Sequence, residues 1–516
     1  MSKQKKSFAL IVVFLQFFVL GLLQAQQKKD DLARLKGFES FVDKILAEHK
    51  VPGVAISIVK DGKVLYAHGF GLRDIKNGLK VTPHTLFAIG SCTKAFTSAT
   101  MGILVDEGKL DWDKPVRSYL PEFFLSDDVA SNQMKPRDLV SHRSGLPRHD
   151  KMWYRSPLSR RELFERLRYL DLNREFREIY QYNNLMFMTA GILVETIAGT
   201  PWEDFARRRI LTPLGMSETN FSVADSIKAP DFAYPYQIVE GKVEQVPFCN
   251  IDAITPAGAI NSTALDMARW VFLNLNKGRA GEKGETRIVS EAVLAQIHAP
   301  QVVVPGAPKY DELFYGIYGM GWRISAYRGH LLVGHGGAID GFSATVSMLP
   351  RDNIGLVLLN NLEDAPINSI LAYNIYDRLL GLEPIDWNAR VKADLTAAKT
   401  DADKKKQEED KDRKFDTKPT HALEEYVGDF EHPAYGVFSI RKEGEGLLGT
   451  FHATNLALHH FHYDTFTVKD DLAGIDQKLT FGIDAKGDIG SLSIKLEPEV
   501  KEIVFTRKTK KPEEKK

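Results

Sequence analysis

Apolar residues first recur at helical spacing at Leu32, Leu35, Phe38, Val42, Ile45 and Leu46, which predicts an amphipathic helix over about Asp31–His49. Pro52 and Gly53 end it, and the period then changes. Val54–Val59 and Val64–Phe70 are short apolar runs joined through Lys60-Asp61-Gly62-Lys63, and an Asp-Gly pair between two such runs predicts a tight hairpin. From about Pro83 to Gln301 the pattern is mainly helical with many loops. Beyond it, Gly321–Ala326 with His330–Gly334 reads as one hairpin, and Ala344–Leu349 with Ile354–Asn360 as another, turning at Pro350–Asn353. A closing helix follows over roughly Ala365–Leu380. Strands at both ends of a helical middle predict an α/β (α+β) domain over residues 30–388, an antiparallel sheet flanked by helices with a large helical subdomain.

Residues 389–418 are rich in Lys, Asp and Glu with little to bury, which predicts a charged linker or at most a solvated helix. Over 419–508 short runs return: Gly436–Ile440, Leu447–His452, Thr465–Val468, Leu479–Ile483 and Ile503–Thr506. Gly and Asp turns break them, so a small all-β, barrel-like domain is expected. His459, His460, His462 and Asp464 cluster there, but a polar alternating strand yields such a cluster without ligand geometry, and no metal site is assigned. The Lys/Glu tail, 509–516, reads as disordered.

Composition narrows the partners. The 516 residues are 43% hydrophobic, and Lys plus Arg and Asp plus Glu both number 68. No net field draws the chain to nucleic acid or an acidic membrane, and a neutral or zwitterionic small partner is expected. Lys3, Lys5 and Lys6, the apolar run Phe8–Leu23 and Leu23-Gln24-Ala25 predict a secretory signal over 1–25. The protein is then periplasmic or secreted, free of the membrane once the signal is removed and anchored only if it is not. Of the two cysteines, Cys92 is expected to be a small packing residue.

Candidate chemistry centres on Phe87-Ala-Ile-Gly-Ser-Cys-Thr-Lys94. The pattern predicts a helix starting there, which puts Ser91 and Lys94 on one face, and a serine hydroxyl needs a neighbouring base or a cation that makes one available. Ser-x-x-Lys occurs four times, at Ser2, Ser57, Ser91 and Ser439. Ser2 is in the expected signal, while Ser57 and Ser439 lie in alternating runs where residues three apart point to opposite faces. Two further motifs follow: Tyr182-Asn183-Asn184 before an apolar helix, and His335-Gly336-Gly337 at the end of a strand.

Ser-x-x-Lys on a helix, Tyr-x-Asn on a loop and His-x-Gly on a strand, in this order, resemble the serine β-lactamase and penicillin-binding protein superfamily. The match is to its class C-like branch, with D-peptidases and esterases. Leu139–Pro147, Pro256–Trp270, Tyr318–Trp322 and Gly334–Phe342 look like segments of that branch, and the C-terminal domain resembles its lipocalin-like module. The resemblance implies an acyl-enzyme on Ser91, with Lys94 and Tyr182 handling the proton and either one as base. It also implies Asn184 orienting the substrate, His335 at the catalytic centre, Gly336 and Gly337 against the substrate, and an oxyanion hole from the backbone N–H groups of Ser91 and Ala338. No metal or organic cofactor is required. The substrate is a small-molecule or peptide ester or amide. Where β-lactamases of the branch carry Lys-Thr-Gly, this chain has His-Gly-Gly, which ranks esterase or peptidase action above β-lactam hydrolysis, and both above a non-catalytic cell-wall binding or sensing role. By analogy with the module, the β-domain is expected to cap or narrow the site entrance.

Overall fold

Asp61 and Gly62 take φ of 50° and 77°, the left-handed pair that a two-residue hairpin turn demands. They join β1 (Gly53–Lys60) to β2 (Lys63–Asp74) as the sequence predicts. The computed structural model describes residues 26, 29–281, 284–411, 413–470 and 474–508; the expected signal and the 509–516 tail lie outside them. Ahead of β1, α1 spans Phe38–Glu48 rather than Asp31–His49, because the chain turns through Gly37 at φ 78°.

The other strands of the main sheet are β3 (Leu79–Lys80), β4 (Val302–Val303), β5 (Ile317–Tyr318), β6 (Arg323–Tyr327), β7 (His330–Ile339), β8 (Phe342–Leu349) and β9 (Ile354–Asn360). The nine pair in the order β4-β5-β6-β7-β8-β9-β1-β2-β3, so the distant ends meet where Val54 faces Asn360. Strand β7 runs five residues past Gly334. It does so because a turn at Asp340 and Gly341, both at positive φ, returns it onto β8, whose ladder holds a glycine-rich stretch of low strand propensity. The two expected hairpins are therefore one four-stranded meander.

Both faces of the centre are covered. Ile56, Ile58, Leu356 and Leu358 pack with Phe38, Val42 and Ile45 of α1 and with Ile370, Leu371 and Ile375 of the closing helix. Ala55, Val59, Val357 and Leu359 pack on the opposite side with the helical subdomain. Strands covered on both faces read as unbroken apolar runs, which is why they were legible in the sequence. The subdomain contributes α2 (Thr93–Asp106), α3 (Asn184–Ala198) and α4 (Ala264–Leu275), and α5 (Ile367–Leu380) closes the sheet.

The charged segment folds as one long helix, α6 (Trp387–Lys411), so the boundary expected at 388 falls inside a helix. Its first residue holds it to the domain of the nine-stranded sheet. Trp387 is buried against Tyr327 and Tyr373 and donates from Nε1 to the Tyr327 hydroxyl at 3.1 Å. Trp387→Ala is expected to destabilise that domain by about 3 to 5 kcal/mol, read from its chemical denaturation midpoint; a change under about 1 kcal/mol would show that the anchor is dispensable.

The C-terminal domain is a closed barrel of eight strands: β10 (Gly428–His432), β11 (Gly436–Glu443), β12 (Gly446–Phe451), β13 (Thr454–His462), β14 (Thr465–Asp470), β15 (Ile475–Ile483), β16 (Ile489–Ile494) and β17 (Ile503–Arg507). Three strands exceed the five runs read from sequence. Strands β10 and β16 are short and interrupted by Gly, Asp or Ser, and β13 alternates buried Leu456 and Leu458 with outward Asn455 and His459. Inside, the rings of Phe438, Phe451 and Phe505 lie 5.5–5.9 Å apart and the side chains are buried. The barrel holds its own aromatic core.

Candidate active site

Gly90 at φ 48° turns the chain into the short helical turn Gly90–Cys92, from which α2 continues. Ser91 sits half-buried at that turn and Lys94 in the first turn of α2, as the motif requires. Lys94 is fully buried rather than solvated. Its Nζ lies 2.9 Å from Ser91 Oγ, 2.6 Å from Asn184 Oδ1 and 2.8 Å from the Ala257 carbonyl oxygen. Tyr182 donates from its hydroxyl to Ser91 Oγ at 2.5 Å. Four residues read from two separate motifs thus meet at one atom and its neighbour.

Asn183, between the two motif residues, explains how Tyr182 and Asn184 are held. It caps α3, its Oδ1 accepting from Met186 N at 2.9 Å, and its backbone N–H donates to His142 Nδ1 at 3.1 Å. His142 stacks 4.2 Å from the Tyr182 ring. Neither Asn183 nor His142 was singled out from sequence, although an Asn just ahead of an apolar helix is a cap signal.

Burial, reinforced by the Arg148 guanidinium, holds the Lys94 amine well below its ordinary pKa, against the pull of Asp150. Burial likewise pushes the Tyr182 phenol up, more than the Ser91 bond lowers it. Both shifts favour the neutral forms, the free amine and the protonated phenol. A neutral amine has two N–H groups and one lone pair, and Asn184 Oδ1 and Ala257 O can only accept. In that form the amine would turn its lone pair to Ser91 Oγ. The orientation of Asn184 is fixed independently, because its Nδ2 donates to Asp150 Oδ1 at 2.9 Å.

Ala338 lies against the nucleophile turn. Ile339 pairs with Phe342 around a two-residue turn, a hydrogen-bonded pair, so the N–H of Ala338 points off the other edge of β7. That edge faces the nucleophile: a Cβ on Gly90 would come within 2.7 Å of Ala338 N, and one on Gly337 would lie 2.0 Å from Ile89 O and 2.9 Å from Ser91 N. Gly337→Ala is expected to push the strand off the turn and cut turnover by about a hundredfold, the effect of one lost oxyanion donor; a kcat within twofold of the parent would refute the assignment.

Two assigned roles change. His335 does not reach the cleft: its Nδ1 faces the Gly336 carbonyl at 2.6 Å and its Nε2 the Tyr318 hydroxyl at 2.9 Å. Burial and Lys94 push its pKa down to about 3, so it is a neutral support beneath Tyr182. Gly336 and Gly337 are absent from the walls of the cleft beside Ser91, and Gly337 instead permits the close approach just described. Asn184 lines the cleft, with Oδ1 on Lys94 and Nδ2 on Asp150. Cys92 packs as expected, buried with its thiol pushed up to about 12.

The cleft, about 870 Å³, is lined by Ser91, Arg148, Lys151, Ala338, Asp340 and Glu363 among others, and by Lys469 and Gly474 of the barrel. The barrel thus forms one of its walls. Arg148 and Lys151 were not found from sequence, since they follow the Leu139–Pro147 segment in a loop without a motif.

Residues 38–379 match the family described as Beta-lactamase, and 412–507 match a domain of unknown function (DUF3471). The chain is 31% identical to Unguisins hydrolase ungD' of Aspergillus campestris (strain IBT 28561) over 78% of this chain and 77% of that one. It is 24% identical to Protein flp of Staphylococcus aureus (strain NCTC 8325 / PS 47), covering 65% and 64%. Among solved structures, the octameric penicillin-binding protein homologue from Pyrococcus abyssi superposes at TM-score 0.62 and 22% identity, over 92% of this chain and all of that one. The D-amino acid amidase from Ochrobactrum anthropi SV3 superposes at 0.54 and 24%, over 66% and 96%. These two share the fold. With the nucleophile, its buried amine and more than half of the length matched, the chain belongs to the β-lactamase family of serine hydrolases.

Proposed function

We propose that the protein cleaves esters or amides through an acyl-enzyme on Ser91, as an esterase or D-amino-acid peptidase, with Lys94 as base and Tyr182 as acid. The observation that carries this reading is Lys94 Nζ, held by the acceptors Asn184 Oδ1 and Ala257 O, lying 2.9 Å from Ser91 Oγ while Tyr182 donates to the same oxygen. As Oγ bonds to the carbonyl carbon, its proton passes to Lys94 and the oxyanion is met by the N–H groups of Ser91 and Ala338. Collapse breaks the bond to the leaving alcohol or amine, which takes a proton from Tyr182; the proton held on Lys94 replaces it, so that Lys94 is a free amine and Tyr182 a phenol again. Water then attacks the acyl carbon with Lys94 again as base, and Ser91 is regenerated.

The substrate reading rests on β7, where a buried neutral His335 and a side-chain-free Gly336 give a substrate carboxylate no partner. A relative named a hydrolase and a structural neighbour titled D-amino acid amidase agree with it. One observation favours β-lactam hydrolysis instead: Arg148 and Lys151 bring cations to the cleft from the opposite loop. Turnover on short-chain esters, D-amino-acid amides and cephalosporins, with Ser91→Ala as blank, separates the two. The expected order puts the kcat/KM for neutral esters or D-amino-acid amides above that for cephalosporins. The reverse order, lost in Arg148→Ala, would make the protein a β-lactamase that binds the carboxylate through that arginine.

A further inference from the structure

The barrel does more than wall the cleft. Tyr435, fully buried in the turn between β10 and β11, has its hydroxyl 2.7 Å from His149 Nδ1. Glu497, 6% exposed between β16 and β17, accepts the N–H of Lys151 at 3.0 Å. These two contacts bracket Asp150. Between them His149 stands at φ 51°, a left-handed conformation that a residue with a Cβ keeps only when its surroundings impose it. Asp150 is the hub of the loop: Oδ1 accepts from Asn184 Nδ2 at 2.9 Å and from Trp153 Nε1 at 2.8 Å, and Oδ2 from Arg148 Nε at 2.6 Å. Asn184 in turn holds Lys94 Nζ through Oδ1. An unbroken chain of bonded groups therefore runs from the barrel to the amine beside the nucleophile.

We infer that the barrel is a positioning element of the catalytic base: Tyr435 and Glu497 clamp the 148–152 loop so that Asp150 and Asn184 aim Lys94 at Ser91. The inference rests on the proposed role of Lys94. It differs from a domain that only limits access, because a wall changes which substrates enter, whereas a clamp changes the chemical step for all of them. Glu497 is buried beside Asp150, which with burial pushes its carboxyl up to about 7, so the clamp is built from groups that pack at the expense of their own hydration. The barrel's aromatic interior, continuous with the buried cluster that holds Met152 and Trp153, supplies the rigidity such a clamp needs.

The test uses full-length Tyr435→Phe, Glu497→Ala and Glu497→Gln with a small neutral p-nitrophenyl ester and a bulky one. Tyr435→Phe and Glu497→Ala should lower kcat on the order of tenfold to a hundredfold, by the same factor for both esters and with KM little changed. Glu497→Gln, which keeps an acceptor oxygen for Lys151, should recover most of the loss. The labelling rate of Ser91 by a fluorophosphonate, which requires an activated hydroxyl but no turnover, should fall in parallel, with thermal melting showing the variants folded. If the parent shows no Ser91-dependent turnover, the proposed function fails, and the labelling rates still decide the clamp. Unchanged labelling and kcat, or losses confined to KM or to the bulky ester, would overturn the inference and leave the barrel as a wall.

Discussion

Ser91→Ala removes turnover of every substrate by at least about a thousandfold, while the melting temperature stays within a few degrees of the parent. The loss is large because the nucleophile and the atom on which both proton-handling groups converge are the same oxygen. The stability change is small because Ser91 is half-buried and Lys94 keeps its bonds to Asn184 and Ala257 when the hydroxyl goes. The other described serines of the same spacing cannot substitute. Ser57 is buried in β1, its hydroxyl donating to Ala264 O at 2.8 Å, and Ser439 donates to Asp429 at 2.7 Å from a barrel strand. Mass-spectrometric mapping of a serine-directed acylating probe should find Ser91 alone; a stoichiometric adduct elsewhere, with activity lost, would move the nucleophile.

What the sequence disclosed followed the reach of each signal. The Asp61-Gly62 hairpin and the α5 pattern are local, so spacing alone located them. The meander through β7 was half seen, because Gly334, Gly336 and Gly337 carry no strand preference and the ladder with β8 decides their conformation. Ser91, Lys94 and Tyr182 were legible as motif residues. Their division of labour was not, since it depends on burial and on which partners of Lys94 can only accept, facts of the fold rather than of spacing. His335 shows the converse: its place in a motif suggested the catalytic centre, while Tyr318 and the Gly336 carbonyl take up its ring nitrogens. Arg148, Asp150 and Glu497 left no trace, because their meaning arises only where a loop and a barrel end meet.

Lys94→Met and Tyr182→Phe should each cost at least about a hundredfold in kcat/KM, and the double variant little more than the worse single one, because one proton path cannot be lost twice. The pH dependence fixes which residue is the base. Lys94 acts only with its lone pair free, so kcat/KM should fall as pH drops through a pKa well under lysine's ordinary 10.5, the direction that burial and Arg148 impose. Tyr182 acts only while protonated, so the alkaline fall should lie above tyrosine's ordinary 10, the direction that burial imposes there. A phenolate base would invert this, with activity rising only where Tyr182 ionises. Arg148→Ala sharpens the assignment, since removing a cation that depresses the Lys94 pKa should move the acid limb to higher pH. An acid limb that survives in Lys94→Met, or that stays put without Arg148, would show that another group titrates there, and additive losses in the double variant would separate the two residues into independent roles.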